Sequence, residues 1–363
     1  VAATAGLILT ARPLDAALTR WLPAWLAAAL AVPLAAFVWT LPLQLLHFGV
    51  VPLYAIPANL LAAPLLTPLT LGAMALALVA LLLPHALPLL LPPVAALTGL
   101  LIWMTERIAA LPMAQWQLGR PEPLLVSLLA VGSLGLALPR LRVRWRLGAA
   151  ALLLFVVVVH LSLLRADQLL LVHQGRGDAG RDLLLARHQG RAALISASAD
   201  AFPCAQAARL AQGLGVPRYD WIWLLDPQAP QDPACWQRQS TLMLASADGS
   251  PPLLPGQRLA SPGLVASPLA AEARATLLQM GAARWVLLPD RQSLWAWQDL
   301  PAAPAQLDGI WLGFRPSARE RRHLAAAAPR AQLWWATGGS TSWLWDGRHS
   351  HRLSAAPEGT VDP

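Results

Sequence analysis

The chain has 363 residues, 56% of them hydrophobic, a formal net charge of +8 and a mean hydropathy of +0.49. These averages describe neither half: the first 164 residues hold eight arginines and three acids (Asp15, Glu106 and Glu122), whereas the remaining 199 hold 19 and 16. The first part reads as membrane-spanning and the second as an ordinary soluble domain rich in Pro and Trp, which excludes a single soluble enzyme fold for the whole.

The chain opens on VAATAGLILTA, without an initiator Met, a basic n-region or a small-residue cleavage site. It reads as the remnant of a longer polytopic protein rather than as a signal peptide. A spanning helix needs about 20 mostly apolar residues, and the next candidates are 21–46, 59–83, 87–111, 123–139 and 147–164. Residues 40–70 stand apart. They are apolar, yet carry Gln44, His47 and Asn59 and prolines at 42, 52, 57, 64 and 68. Polar groups and interrupted backbone at membrane depth are costly unless protein or a water-filled cavity surrounds them. The segment is therefore expected to line a path through a bundle, with 40–57 dipping in without crossing. Gln44, His47 and Asn59 are the lining candidates, with helix–helix hydrogen bonding as the competing reading of His47 and Asn59.

Small residues at Ala58, Ala62, Ala63, Gly72, Ala73, Ala75 and Ala77 predict close helix packing. Glu106 and Arg107 sit near a helix end and read as snorkelling groups. Residues 113–123, MAQWQLGRPEP, read as an interfacial loop. Arginines in short loops set orientation. The four in PRLRVRWR (139–146) place that loop in the cytoplasm, and hence the domain after Arg165 outside. By the same count 113–122 and 47–57 lie on the outer side, and His85, Arg12 and Arg20 inside.

In the second part, 168–173, 182–187 and 191–197 read as a strand meander, 202–214 as a helix and 220–225 as a buried strand. Residues 240–245 form a weaker strand. Then 268–280 reads as a helix stopped by Gly281, followed by strands at 284–288 and 308–312. Residues 317–328 read as a helix opened by a capping box, Ser317 with Glu320. Strands at 331–336 and 342–345 complete an α/β layered domain. Residues 228–232 and 247–268 read as loops, and 354–363 as a disordered tail.

All 27 basic residues are Arg. GC-rich coding explains this as readily as phosphate contact, so the high pI does not by itself indicate nucleic acid. Two cysteines, Cys204 and Cys235, cannot build a four-Cys zinc site. In an oxidising compartment they can pair; otherwise they are two small unpaired residues. No G-x-x-x-x-G-K-[ST] motif is present, so the chain should not supply ATP-driven force.

The residues LPLQLLHFG (41–49) followed by IPANLLAAP (56–64) resemble the membrane domain of the ComEC family, polytopic proteins of DNA uptake in natural competence. Pro42, Gln44, His47, Phe48, Gly49, Asn59 and Pro64 carry the resemblance. It implies a polytopic α-helical membrane domain (1–164) followed by an α/β domain of degenerate metallo-β-lactamase-like αββα layers (165–353). That family's V-G-Q-G-D-A-type turn is similar to VHQGRGDA at 172–179. Its H-x-H-x-D-H loop is absent: the strand at 220–225 runs into DPQAPQ, and no histidine occurs from Ile195 to Arg322. Its later His-His-Gly-Ser segment is not readable either: after Gly309–Leu312 the chain has GFRPS (313–317). Clustered imidazoles and carboxylates are what hold zinc and activate its water, so no metal, cofactor or catalytic residue is expected. Asp226 and Asp290 follow strands near the former site and would at most hold a hard cation. His349 and His351 would share a face if they lie on one strand, and His173 and His188 read as surface or structural groups.

By this resemblance the protein is expected in the bacterial cytoplasmic membrane, in contact with lipid. It would pass single-stranded DNA inward with the help of a DNA receptor and a cytoplasmic motor protein. Arg315, Arg319, Arg321 and Arg322 are candidates for DNA contact, or else a solvated basic face. The 11 tryptophans after Arg165 include possible stacking groups for bases, though those in strand runs read as core. An active metal-dependent nuclease in the outer domain and a transporter of a non-DNA substrate are the rival readings.

Overall fold

A computed structural model describes residues 2–137, 141–173, 182–226, 228–246, 253–270, 274–300, 306–335 and 341–353. The chain divides into two compact units, Val1–His160 and Leu161–Pro363.

The first unit is helical: α1 (Ala2–Leu18), α2 (Ala24–Phe48), the short β1 (Val50–Pro52), α3 (Ala55–Leu82), α4 (Leu87–Ala109), the short β2 (Gln115–Gln117), α5 (Pro123–Ala137) and α6 (Val143–Arg165), which runs across the boundary. Four stretches, Ala24–Phe48, Ala55–Leu82, Pro84–Ala109 and Val143–Arg165, are long and apolar enough to cross a membrane. Helix α5 has 15 residues. At about 1.5 Å per residue it is shorter than a hydrocarbon core of about 30 Å. Close packing of α3 on α4 runs through Gly72, where a Cβ would come within 2.8 Å of Val94.

Two expectations for this unit need correction. Residues 40–57 are not one broken segment. Helix α2 continues through Pro42, and the break is confined to residues 49–54. Gly49 terminates the helix in the left-handed conformation (φ 68°), its N–H donating to Leu45 O, a geometry that glycine adopts without a Cβ penalty. Nor is 113–123 a plain loop. Strand β2 pairs antiparallel with β1, Val51 opposite Trp116. This pairing places the C-terminal ends of α2 and α4 and the N-terminal ends of α3 and α5 at one end of the unit.

The second unit begins with a meander, β3 (Gln168–His173), β4 (Leu183–His188) and β5 (Arg191–Ser196), continued by α7 (Ala201–Gly213), β6 (Tyr219–Leu224), α8 (Pro233–Gln239) and β7 (Ser240–Leu244). A second run follows: β8 (Leu259–Ser261), β9 (Leu264–Pro268), β10 (Thr276–Met280), β11 (Ala283–Leu288), α9 (Arg291–Gln298), β12 (Gly309–Leu312), α10 (Ala318–Ala327) and β13 (Gln332–Trp335). Strands β14 (Thr341–Trp345) and β15 (Ser350–Leu353) return to the first sheet. Among the described residues the sheets have the orders β15-β14-β3-β4-β5-β6-β7 and β13-β12-β11-β10-β9-β8. In each, an antiparallel meander gives way to parallel strands joined through helices, β5-β6-β7 and β11-β12-β13.

Side-chain parity makes four layers. Leu169, Leu171, Leu184 and Ala186 join Leu278, Met280, Trp285 and Trp311 between the sheets. The alternate residues Leu170, Val172, Leu183 and Leu185 pack with Ala207 and Leu210 of α7 and Trp236 of α8. Val286, Leu288 and Ile310 pack with Leu294 of α9 and Leu324 of α10. Both faces of these strands are covered, which is why they are written as continuous apolar runs such as LLLV. Trp285 and Trp334 of one sheet and Trp345 of the other meet in the central layer, with ring centroids 4.4 and 6.0 Å from Trp285.

The expected helix at 268–280 is instead β9 leading to β10, with Thr276, Leu278 and Met280 alternating inward. Its alanines favour a helix, but burial in the sheet decides. Gly281 (φ 58°) therefore turns the β10–β11 hairpin, Met280 opposite Ala283, and does not stop a helix. Strands β8 and β9 also occupy part of the expected loop at 247–268. Cys204 and Cys235 form a disulfide between α7 and α8, with Cα atoms 6.4 Å apart. Residues 174–179 of the expected glycine turn, and the tail 354–363, lie outside the described residues.

Candidate functional site

Two places follow from the fold: the break between α2 and α3, and the carboxyl ends of the parallel strands in the second unit.

At the break, the β1–β2 ribbon is held by Leu118 N–H to Gly49 O (3.0 Å), Leu53 N–H to Ala114 O (3.1 Å) and the Tyr54 hydroxyl to Pro112 O (3.0 Å). His160 Nε2 of α6 lies 2.7 Å from Leu118 O. The ribbon thus ties together α2, α3, α4 and α6. Pro42 and Gly49 are buried, and Gln44 is half-buried. The Gln44 amide NH2 donates to Thr40 Oγ1 (3.4 Å), while its buried Oε1 has no hydrogen-bond partner. His47, Phe48, Asn59 and Pro64 are exposed, the rings of His47 and Phe48 standing edge to face at 6.4 Å. Among the described residues no hydrogen bond joins Asn59 to Gln44 or His47. These groups share a neighbourhood in sequence but do not form one polar network.

In open α/β sheets, ligands bind beyond the carboxyl ends of the strands. Asp226 follows β6, where its two oxygens accept from Ala199 N–H (3.2 Å) and Gln228 N–H (2.9 Å). Asp290 follows β11 and caps α9, accepting from Ser293 N–H (2.7 Å) and the Ser293 hydroxyl (2.5 Å). Arg274 stands between the two strand ends. One nitrogen pairs with Asp290 and another donates to Leu225 O at 3.4 Å. Burial alone would raise Asp290, but the two Ser293 donors and Arg274 outweigh it and hold the carboxyl below the usual range.

Among the described residues no group of three or more His, Cys, Asp or Glu converges as a metal site. The donor set at this edge does not fit the metal centre that the family resemblance implies: both carboxylates are occupied by N–H or O–H donors and a guanidinium. His351 is on β15, 3.5 Å from Asp346, but His349 precedes the strand, so the expected shared face is not formed. Asp346 is drawn down to about 2 by the backbone N–H groups of His349 and Arg348.

His173 is not a surface group, as the sequence reading allowed. It is buried at the end of β3 and hydrogen-bonded to the buried Asp182. Burial raises the Asp182 carboxyl and His173 opposes that shift. The pair brackets residues 174–181. His188 is held by Asp167 at 2.9 Å, against the Gly263 and Gly281 turns.

Arg315, Arg319, Arg321 and Arg322 are all exposed. The last three lie on α10, whose capping box is complete: Ser317 Oγ accepts from Glu320 N–H (3.2 Å) and Glu320 accepts from Ser317 N–H (2.6 Å). Arg321 lies over the Trp335 ring, 5.8 Å from its centroid. Arg274 and Trp295 were not singled out by sequence reasoning. Arg274 fell inside a segment read as helix. Trp295 lies on α9, for which Asp290, three residues before Ser293, was the available cap signal.

No curated protein and no solved structure matches the chain. Residues 1–143 match the family model described as Competence protein. The helical unit is therefore similar to a competence-family membrane domain, and that likeness supports, at a general level, a role in DNA uptake at a membrane.

Proposed function

We propose that this chain forms part of a ComEC-type channel of the bacterial cytoplasmic membrane, passing single-stranded DNA into the cytoplasm during natural transformation. The observation that carries this reading is the competence-family match over 1–143, which covers the helices flanking the α2–α3 break. A polyanion crossing a bilayer needs a hydrated path with weak, repeated contacts that bind and release. The Gln44 carbonyl without a partner and the exposed Asn59 and His47 are suited to such a path. Confining the break to 49–54 leaves backbone groups at a helix end beside it.

The second unit is, in this reading, a non-catalytic extracytoplasmic domain with metallo-β-lactamase-like layering. Arg274 holds the strand ends where such a fold would bind metal. The Cys204–Cys235 disulfide suits an oxidising compartment and so supports the outer side. A DNA receptor outside and a motor protein inside complete the proposed system, since the chain has no nucleotide-binding loop of its own.

The test is uptake of labelled DNA by a strain lacking the gene. Loss of cytoplasmic label is expected, with restoration by the wild-type gene. Normal cytoplasmic uptake without the gene overturns the proposal.

A further inference from the structure

Of the tryptophans in the second unit, Trp295 alone is exposed, at 59%; the other ten are buried or half-buried in the layers. It lies on α9, one turn beyond Arg291, and residues four apart share a helix face. Arg291 reaches from α9 to Glu320 of α10 at 3.6 Å and covers the Phe314 ring at 5.4 Å, so the two helices adjoin here. On α10, Leu324 points into the core, which turns Arg319 and Arg322 outward, and the exposed Arg315 precedes the helix. The acid on α10, Glu320, is engaged by the Ser317 N–H and by Arg291, and these hold its carboxyl below the usual range. Glu320 is half-buried, and Asp299, at the far end of α9, is the exposed acid of the two helices.

We infer that the α9–α10 face, with Trp295 as a stacking platform and Arg315, Arg319 and Arg322 as phosphate contacts, binds single-stranded nucleic acid. Every base offers a π-face to an exposed indole, and a positive surface beside it follows the backbone. An anionic bilayer also attracts arginines, but an interfacial helix needs an outward apolar face. The exposed residues of α10 are alanines, Arg319, Arg321, Arg322 and His323, so Trp295 is the single large apolar side chain that the two helices expose, too little for such a face. This inference rests on the reading that single-stranded DNA is the cargo, and it assigns the outer domain a surface for it beside the strand-end edge closed by Arg274.

The experiment uses the purified full chain in detergent and a fluorescent oligothymidylate, with anisotropy followed across a salt series. Trp295→Ala should weaken single-strand binding about 5- to 100-fold, with Trp295→Phe retaining most of it. Duplex binding should change little, because paired bases do not stack on the indole. The triple variant Arg315→Ala/Arg319→Ala/Arg322→Ala should reduce the slope of log K against log salt by about 2, at roughly 0.7 per phosphate contact. Arg348→Ala, in the β14–β15 turn, is the control that should change neither.

Unchanged affinity and salt slope in the Trp295→Ala and triple variants, with unaltered melting temperatures, overturn the inference. So does loss of binding to phosphatidylglycerol vesicles in those variants with oligothymidylate binding intact, which assigns the face to the membrane. Failure of the channel reading is distinguishable: the deletion strain would then take up DNA normally whatever the oligonucleotide result.

Discussion

Leu81 in α3 is 80% exposed and Leu169 in β3 is fully buried, and the contrast holds across the two units. In the helical unit large apolar side chains such as Leu78, Leu82 and Leu89 face outward, while the first three buried positions of α2 are the small Ala27, Ala31 and Ala35, followed by Pro42 and Leu45. In the α/β unit leucines and tryptophans fill three inner layers, and the arginines of α10 remain outside. Lipid tails are as apolar as leucine, so membrane helices gain by packing small residues closely. In water the large residues must go inward. The two units should therefore respond differently to substitution: the α/β unit through stability, the helical unit through function.

The largest stability effect is expected at Trp285, fully buried where the two sheets meet. Trp285→Ala should cost about 3–5 kcal/mol, seen as a large drop in the denaturation midpoint. Opening the Cys204–Cys235 disulfide, by reduction or Cys204→Ser/Cys235→Ser, should cost about 2–4 kcal/mol. Its measure is the gap in melting temperature between wild type and the double variant, which reductant closes by lowering the wild type. Removing the α10 cap with Ser317→Ala should cost about 1 kcal/mol, visible in the same melts.

Acid should act through Asp290. Its folded pKa is depressed, so its contribution is complete above its unfolded value near 4 and is lost as pH falls through the lower folded value. Wild type should exceed Asp290→Asn in melting temperature at neutral pH, with the gap closing below about pH 4. A gap that persists at lower pH would show that the helix cap, rather than the charge, carries the effect.

The smallest stability change, and the sharpest test of the contrast, is Asn59→Leu. Asn59 has no hydrogen-bond partner among the described residues, so Leu should leave the melting temperature unchanged while DNA uptake falls at least tenfold. Loss of stability together with uptake would place Asn59 in helix packing instead.

Legibility in the sequence followed the length scale of the signal. The apolar runs predicted α2, α3, α4 and α6 within a few residues, and Ser317 with Glu320 predicted α10 to its first turn, because each signal lies within one element. The strands β8, β9 and β10 were not legible. The local composition of 247–280 favoured loop and then helix, and only pairing across the sheet reversed that preference. At the candidate sites, charge singled out the arginines of α10, which the helix exposes. Arg274 and Trp295 were missed because their meaning depends on what lies beside them: a strand end from the other half of the domain, and solvent where every other indole of that unit is at least half covered.

Composition and period alone carried the change of character near Arg165, the membrane character of the first part and the α/β character of the second. Hydrophobic content, period and residue identity are local properties, readable without coordinates. That residues 50–52 and 115–117 pair, that Cys204 reaches Cys235, and that Arg274 lies between two strand ends became visible in the folded chain alone. Those contacts join residues 16 or more positions apart, and no local pattern specifies which distant partner a side chain will meet.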